Sequence, residues 1–212
     1  MTKEELLQKQ AEKIAAKKKS AVRVMSPQAK LTMKLVKKNA VYVPKMKADV
    51  STIKDLIDIV KDGENTLKLI SNKFDSPNII STVQKYFKIK EVFVSTWAVT
   101  PIGIQKLKDL NDKGIHCTVL LDKTHSYKWM FESGATKILT DTDFCFTENH
   151  SKFILFDLEE SLPLNFIGSF NLSNNPRYEN IEINRIPQEF EFYRDFVLNV
   201  KNGNNDFQKT LF

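Results

Sequence analysis

A chain of 212 residues, 42% apolar and with a formal net charge of +6, can bury one good core but hardly two. It holds no run as long as the roughly 18 apolar residues that a membrane span needs, and residues 1–7 lack the apolar stretch of a secretory leader, so a cytoplasmic protein without a membrane partner is expected. Charge is unevenly spread. Residues 1–45 carry 12 Lys and Arg against 3 Asp and Glu, a net of +9 that leaves −3 for the remainder.

The N-terminal segment, 1–45, reads as a basic helical and extended appendage. Leu6, Leu7, Ala11, Ile14 and Ala15 recur near helical spacing, with Thr2 and Glu5 placed as a capping box, which predicts a helix over 2–19. Lys17, Lys18, Lys19, Arg23, Lys30, Lys34, Lys37 and Lys38 form a recurring cationic series that suits a polyanion by neutralising phosphates and releasing counterions. Such a series reads no base sequence by itself. Pro27 and Pro44 predict short extended pieces and a boundary near residue 45.

Residues 46–212 then alternate between two periods. Apolar residues at Val50, Ile53, Leu56, Ile57 and Val60 predict a helix over 49–62 that stops at Gly63. Strands are predicted over 66–71, 91–98, 115–122 and 181–186, and helices over 77–88, 102–113, 126–134 and 187–201. This is an α/β pattern, for which a mixed, largely parallel sheet flanked by helices is expected. Cys117 and Cys145 lie in apolar runs with no metal-ligand spacing, as packed thiols do. Trp97, near a strand end, reads first as core filler and second as a lining of a site.

The chemistry concentrates late in the chain. His150 and Lys152 lie two apart on one predicted strand, and Ser169 and Asn171, preceded by Gly168, lie two apart on the next, so each pair shares a face. A phosphodiester repels nucleophiles unless cationic and hydrogen-bonding groups hold its oxygens, the part that Lys152, Ser169 and Asn171 suit. His150 supplies a nucleophile usable near neutral pH. Glu179, just beyond the second strand, is the carboxylate expected to orient its imidazole. Asp157, an odd number of positions from His150, faces away and reads as a structural residue closing a turn.

His-x-Lys with an aspartate five positions later, then Gly-Ser-x-Asn, resembles the signature of the phospholipase D superfamily, and the single copy is similar to its small bacterial nuclease branch. Val119 to Lys123 closing a strand and the Glu179-Asn180 pair strengthen the likeness, which spans about residues 46–212. The ten residues from Leu158 to Ile167 exceed the family's usual spacing and predict a longer hairpin. The resemblance implies a phospholipase D-like fold, no metal or other cofactor, and a histidine nucleophile that forms a phosphohistidine while a second histidine serves as acid and base.

Only one histidine here has that setting, because Thr118 and Tyr127 stand where His116 and His125 would need a lysine. A two-fold homodimer with one composite site resolves the shortage. His116 is expected to be hydrogen-bonded and half-buried, and His125 is a candidate for substrate contact. The function expected is metal-independent cleavage of nucleic acid, with DNA favoured over RNA. The alternatives are a phospholipid-active phospholipase or phosphatidyltransferase and a catalytically silent nucleic-acid-binding module.

Overall fold

The computed structural model describes residues 32–37, 40–42, 52–125, 127–159, 161–174 and 177–203. The helix expected over 2–19 lies outside them, as do Lys17, Lys18, Lys19, Arg23, Lys30 and Lys38. The described chain opens with strands β1 (Thr32–Lys37) and β2 (Ala40–Tyr42). Lys34 and Lys37 fall on β1, within the segment expected as an appendage.

Helix α1 (Ile53–Ile59) is shorter than expected and starts at a capping box, in which Thr52 accepts from the Asp55 N–H and Asp55 accepts from the Thr52 N–H. Then come β3 (Asn65–Ser71), α2 (Ser76–Tyr86, capped by Asp75), β4 (Ile89–Thr96) and α3 (Pro101–Asn111). Gly114, at φ 75°, turns the chain out of α3 in the left-handed conformation that glycine tolerates, and β5 (His116–Asp122) follows. Two short helices, α4 (Tyr127–Glu132) and α5 (Ala135–Ile138), lead to β6 (Thr142–Thr147). The chain continues through β7 (Phe153–Leu158), β8 (Leu164–Gly168) and β9 (Glu179–Asn184) into helix α6 (Pro187–Lys201).

The nine strands form one mixed sheet in the order β2-β1-β3-β9-β8-β7-β4-β5-β6. It is not largely parallel, as expected from the alternation. Only β4–β5 and β5–β6 pair in parallel, and every other pair is antiparallel. The reason is an insertion: β3 and β4 do run the same way, as a strand-helix-strand unit dictates, but the late meander β7-β8-β9 wedges between them. A period of apolar residues gives strand direction and leaves neighbour choice open.

Alternation splits the core in two. Val92, Val94, Cys117, Val119, Leu121, Ile154, Phe156 and Phe166 face one way and pack with Ile57 of α1, Ile80 and Val83 of α2 and Leu107 and Leu110 of α3. On the opposite face Phe93, Phe153 and Leu155 pack under Phe190 and Val197 of α6. Phe93 and Phe190 meet edge to face with centroids 6.0 Å apart. Among the described residues no helix is long and apolar enough to cross a membrane.

The end of β8 carries a tight contact. A Cβ added at Gly168 would lie 2.0 Å from the carbonyl oxygen of Asn180 on β9, a backbone atom that cannot rotate away. Gly168→Ala is therefore predicted to destabilise the fold by about 1–3 kcal/mol. Urea unfolding would show a lowered midpoint with an unchanged slope, and an unchanged midpoint would contradict the contact.

Candidate functional site

His150 and Lys152 were expected on a strand, and Ser169 and Asn171 on the next. All four instead lie just past strand ends, His150 and Lys152 before β7 and Ser169 and Asn171 after β8. The backbone before β7 is diverted by local side chains: the Ser151 N–H donates to Asn149 Oδ1 (3.0 Å) and the Asn149 N–H to Asp122 Oδ2 (3.1 Å), so neither enters the ladder. The four still meet. β7 and β8 are antiparallel with Phe153 opposite Ile167, and the Gly168 N–H donates to the Lys152 carbonyl (3.0 Å), which brings the start of one strand beside the end of the other.

The longer hairpin resolves into strand. Of the ten residues between Asp157 and Gly168, Leu158 ends β7 and residues 164–167 belong to β8, and the described residues 159 and 161–163 lie outside both strands. Arg185 ties 161–163 down, donating to Ser161 Oγ and to the carbonyls of Leu162 and Pro163.

His150 is exposed while Lys152 is buried, 9% exposed. The Lys152 ammonium donates to the His150 carbonyl (2.8 Å). Burial pulls the Lys152 ammonium below the usual lysine range, with the Glu179 carboxylate opposing the shift. Glu179, expected to accept from the His150 ring, accepts the Ser169 hydroxyl hydrogen bond, and Ser169 Oγ in turn accepts from the Asn180 N–H (3.0 Å). Asn171 is held through its backbone, its carbonyl accepting from Ser76 Oγ (2.6 Å) at the start of α2. Its buried Oδ1 has no hydrogen-bond partner among the described residues, an unusual state for a buried polar atom.

A second layer was not singled out from the sequence. Asn149, 6% exposed, donates to Ser95 Oγ (3.0 Å) and to the carbonyls of Thr96 (3.3 Å) and Leu120 (3.4 Å), fixing the residue before His150 to the ends of β4 and β5. Burial alone would raise the Asp122 carboxyl. Hydrogen bonds from the Thr124 hydroxyl and from the N–H groups of Asn149, His125 and Thr124 outweigh it and hold the group below the usual carboxylate range. The available signal was position: Asn149 directly precedes His150, and Asp122 ends the strand that points at it.

Trp97, read first as core filler, stands half-buried at this end of the sheet. Its ring stacks on His125 with centroids 3.8 Å apart and planes at 23°, and lies 5.9 Å from the His150 ring. Asp157 does not close a turn. It sits within β7 opposite Glu91 and pairs with Lys90 (3.1 Å), about 16 Å along the strand from Lys152. His116 also lies at that far end, half-buried between Asp141 (2.8 Å) and Asp143 (3.1 Å). Cys117 and Cys145 are buried free thiols, and burial pushes Cys117 up to about 12. No group of three or more His, Cys, Asp or Glu side chains among the described residues is arranged to hold a metal ion.

A family model described as cardiolipin synthase, PLD-like domain matches residues 77–197, more than half of the chain. Among solved structures the chain is similar to Nuc, a phospholipase D family member from Salmonella typhimurium, at 16% identity and a TM-score of 0.47, covering 58% of this chain and 85% of Nuc. It is similar to NucT from Helicobacter pylori at 15% identity and a TM-score of 0.46, covering 81% of this chain and 96% of NucT. It also resembles a polyphosphate kinase from Porphyromonas gingivalis at 10% identity and a TM-score of 0.47, covering 60% of this chain and 24% of that one. No curated protein matches it.

The depressed ammonium has a measurable sign. A lysine held below its ordinary pKa of about 10.4 loses its charge earlier as pH rises, so affinity for inorganic phosphate should fall before that pH is reached. Lys152→Arg, whose guanidinium stays charged, should remove that alkaline fall in calorimetric titrations. The same fall in the variant would assign it to another group.

Proposed function

Because the chain belongs to the phospholipase D-like family, we propose that it is a metal-independent phosphodiesterase that cleaves nucleic acid, with His150 as its nucleophile. The observation that carries this reading is the gathering of exposed His150, buried Lys152, Ser169 and Asn171 at one end of the sheet. Lys152 brings a positive charge out of bulk water, where it acts on phosphoryl oxygens more strongly than a solvated lysine would. Ser169 and the Asn171 amide add hydrogen bonds, and Glu179 fixes the serine hydroxyl.

In this reaction a nitrogen of His150 attacks phosphorus, a P–N bond forms and the P–O bond to the leaving group breaks. The partner subunit's His150 protonates the departing oxygen. It then takes a proton from water, whose oxygen attacks phosphorus and releases His150. Both histidines come from one motif in two copies, so the site is completed by a two-fold homodimer.

Nucleic acid as the substrate is supported by the +9 charge of residues 1–45. The strand that continues from those residues enters the sheet at Thr32, in register with Ile70 and through it with Asn180. Two strand spacings, about 10 Å, separate Thr32 from the residue beside Glu179. β1 therefore enters the sheet at the end that carries the site, with Lys17, Lys18, Lys19, Arg23 and Lys30 before it in sequence and Lys34 and Lys37 along it. DNA is proposed ahead of RNA, and a cytoplasmic location is proposed with it. The description of the family as cardiolipin synthase favours a second reading, action on phospholipids.

Cleavage of plasmid DNA and oligonucleotides in excess EDTA should persist in the wild-type protein and fall by about 1,000-fold or more in His150→Ala. Loss of activity with EDTA, or its retention in the variant, would refute the assignment. Mixing wild-type protein with His150→Ala should lower activity as the square of the wild-type fraction, since mixed dimers lack one imidazole. A linear decline would refute the composite site. Turnover of anionic vesicles with no turnover of DNA would favour the second reading.

A further inference from the structure

We infer that Trp97 and His125 form a stacking platform for a nucleobase flanking the scissile phosphate, and that the substrate is therefore engaged as an unpaired strand. This rests on the nucleic-acid reading above and adds its substrate form. Two of the chain's three histidines and one of its two tryptophans come together here, at the sheet end that holds the polar site. The rings of Trp97 and His125 are near-parallel at 3.8 Å, and Trp97 spans the gap to His150.

Both rings stand on anchored backbone. Asp122 accepts from the His125 N–H (3.0 Å) and the Thr124 N–H (2.9 Å), and the Lys123 N–H donates to the Thr147 carbonyl (2.8 Å), so the loop presenting His125 is fixed at its base. Beside Trp97, Thr96 Oγ1 donates to the Ala98 carbonyl (2.7 Å) and accepts from the Leu172 N–H (2.9 Å), one residue after Asn171. The platform and the Asn171 loop are thus held to one another.

Trp97 covers one face of the imidazole, and His125 as a whole is exposed. A base laid on the opposite face continues the pile of rings. Bases inside a duplex already use both faces on their neighbours, so an unpaired base can make this contact where an internal base pair cannot. Stacking accepts every base, and the platform gives preference for strand form without preference for sequence.

The test uses the full chain with His150→Asn to prevent turnover, and compares two strands of equal length by fluorescence anisotropy. One is oligo(dT) and the other is an abasic deoxyribose-phosphate strand. Oligo(dT) should bind about tenfold more tightly. His125→Ala and Trp97→Ala should each abolish most of that difference while leaving affinity for the abasic strand unchanged, and His125→Phe should restore it, because phenylalanine keeps a flat ring for the base to stack on. Equal binding of the two strands, or a preference that survives both alanine variants, overturns the platform while leaving the nuclease assignment standing if wild-type protein cleaves DNA. If neither strand is bound and wild-type protein cleaves no DNA, the platform and the nucleic-acid reading fall together.

Discussion

The site depends on the register between β7 and β8. With Phe153 opposite Ile167 and the Gly168 N–H on the Lys152 carbonyl, the residues before one strand and after the other are brought to the same place. A slip of one residue would exchange Phe153 and Leu155 beneath α6 for Ile154 and Phe156 and force both cores to repack. Packing in two distinct cores therefore holds the register, and the register holds the position of the polar residues. Gly168 is the close point of this arrangement, where β9 approaches too near for any side chain and delivers Glu179 to the Ser169 hydroxyl.

The two ends of the sheet are electrostatically different. At the end holding His150 a cation is buried, Asp122 is occupied by four hydrogen bonds, Glu179 by Ser169, and Glu148 pairs with Lys123. At the far end, Glu91, Asp157, Asp141 and Asp143 gather with His116, Lys90 and Lys201: Lys90 pairs with Asp157, Lys201 with Asp143, and the His116 ring is hydrogen-bonded to Asp141 and Asp143. Burial pushes the Glu91 carboxyl up there, with His116 drawing it back.

The pieces legible in the sequence were those set by local period and short motifs. The strands of residues 65–71, 89–96 and 116–122 and the helices between them follow from alternation, helical spacing and glycine stops. The motif residues were legible because their types and spacing are chemical. What was hidden needed long-range information. Insertion of β7-β8-β9 between β3 and β4 changes no residue's periodicity, so parallel pairing looked general. Strand parity gave the shared placement of His150 and Lys152 for a reason that does not apply, since Asn149 and Asp122 take the backbone out of the ladder before β7 begins. Trp97 was ambiguous because a tryptophan at a strand end has the same local pattern whether it meets core or histidine.

The bend between β7 and β8 sits at the opposite edge from the chemistry, clamped by the Arg185 guanidinium and separated from Lys152 by the length of β7. The ladder, and not the loop, sets how the four polar residues align. A residue added or removed at that bend therefore falls outside the ladder that places His150, Lys152, Ser169 and Asn171.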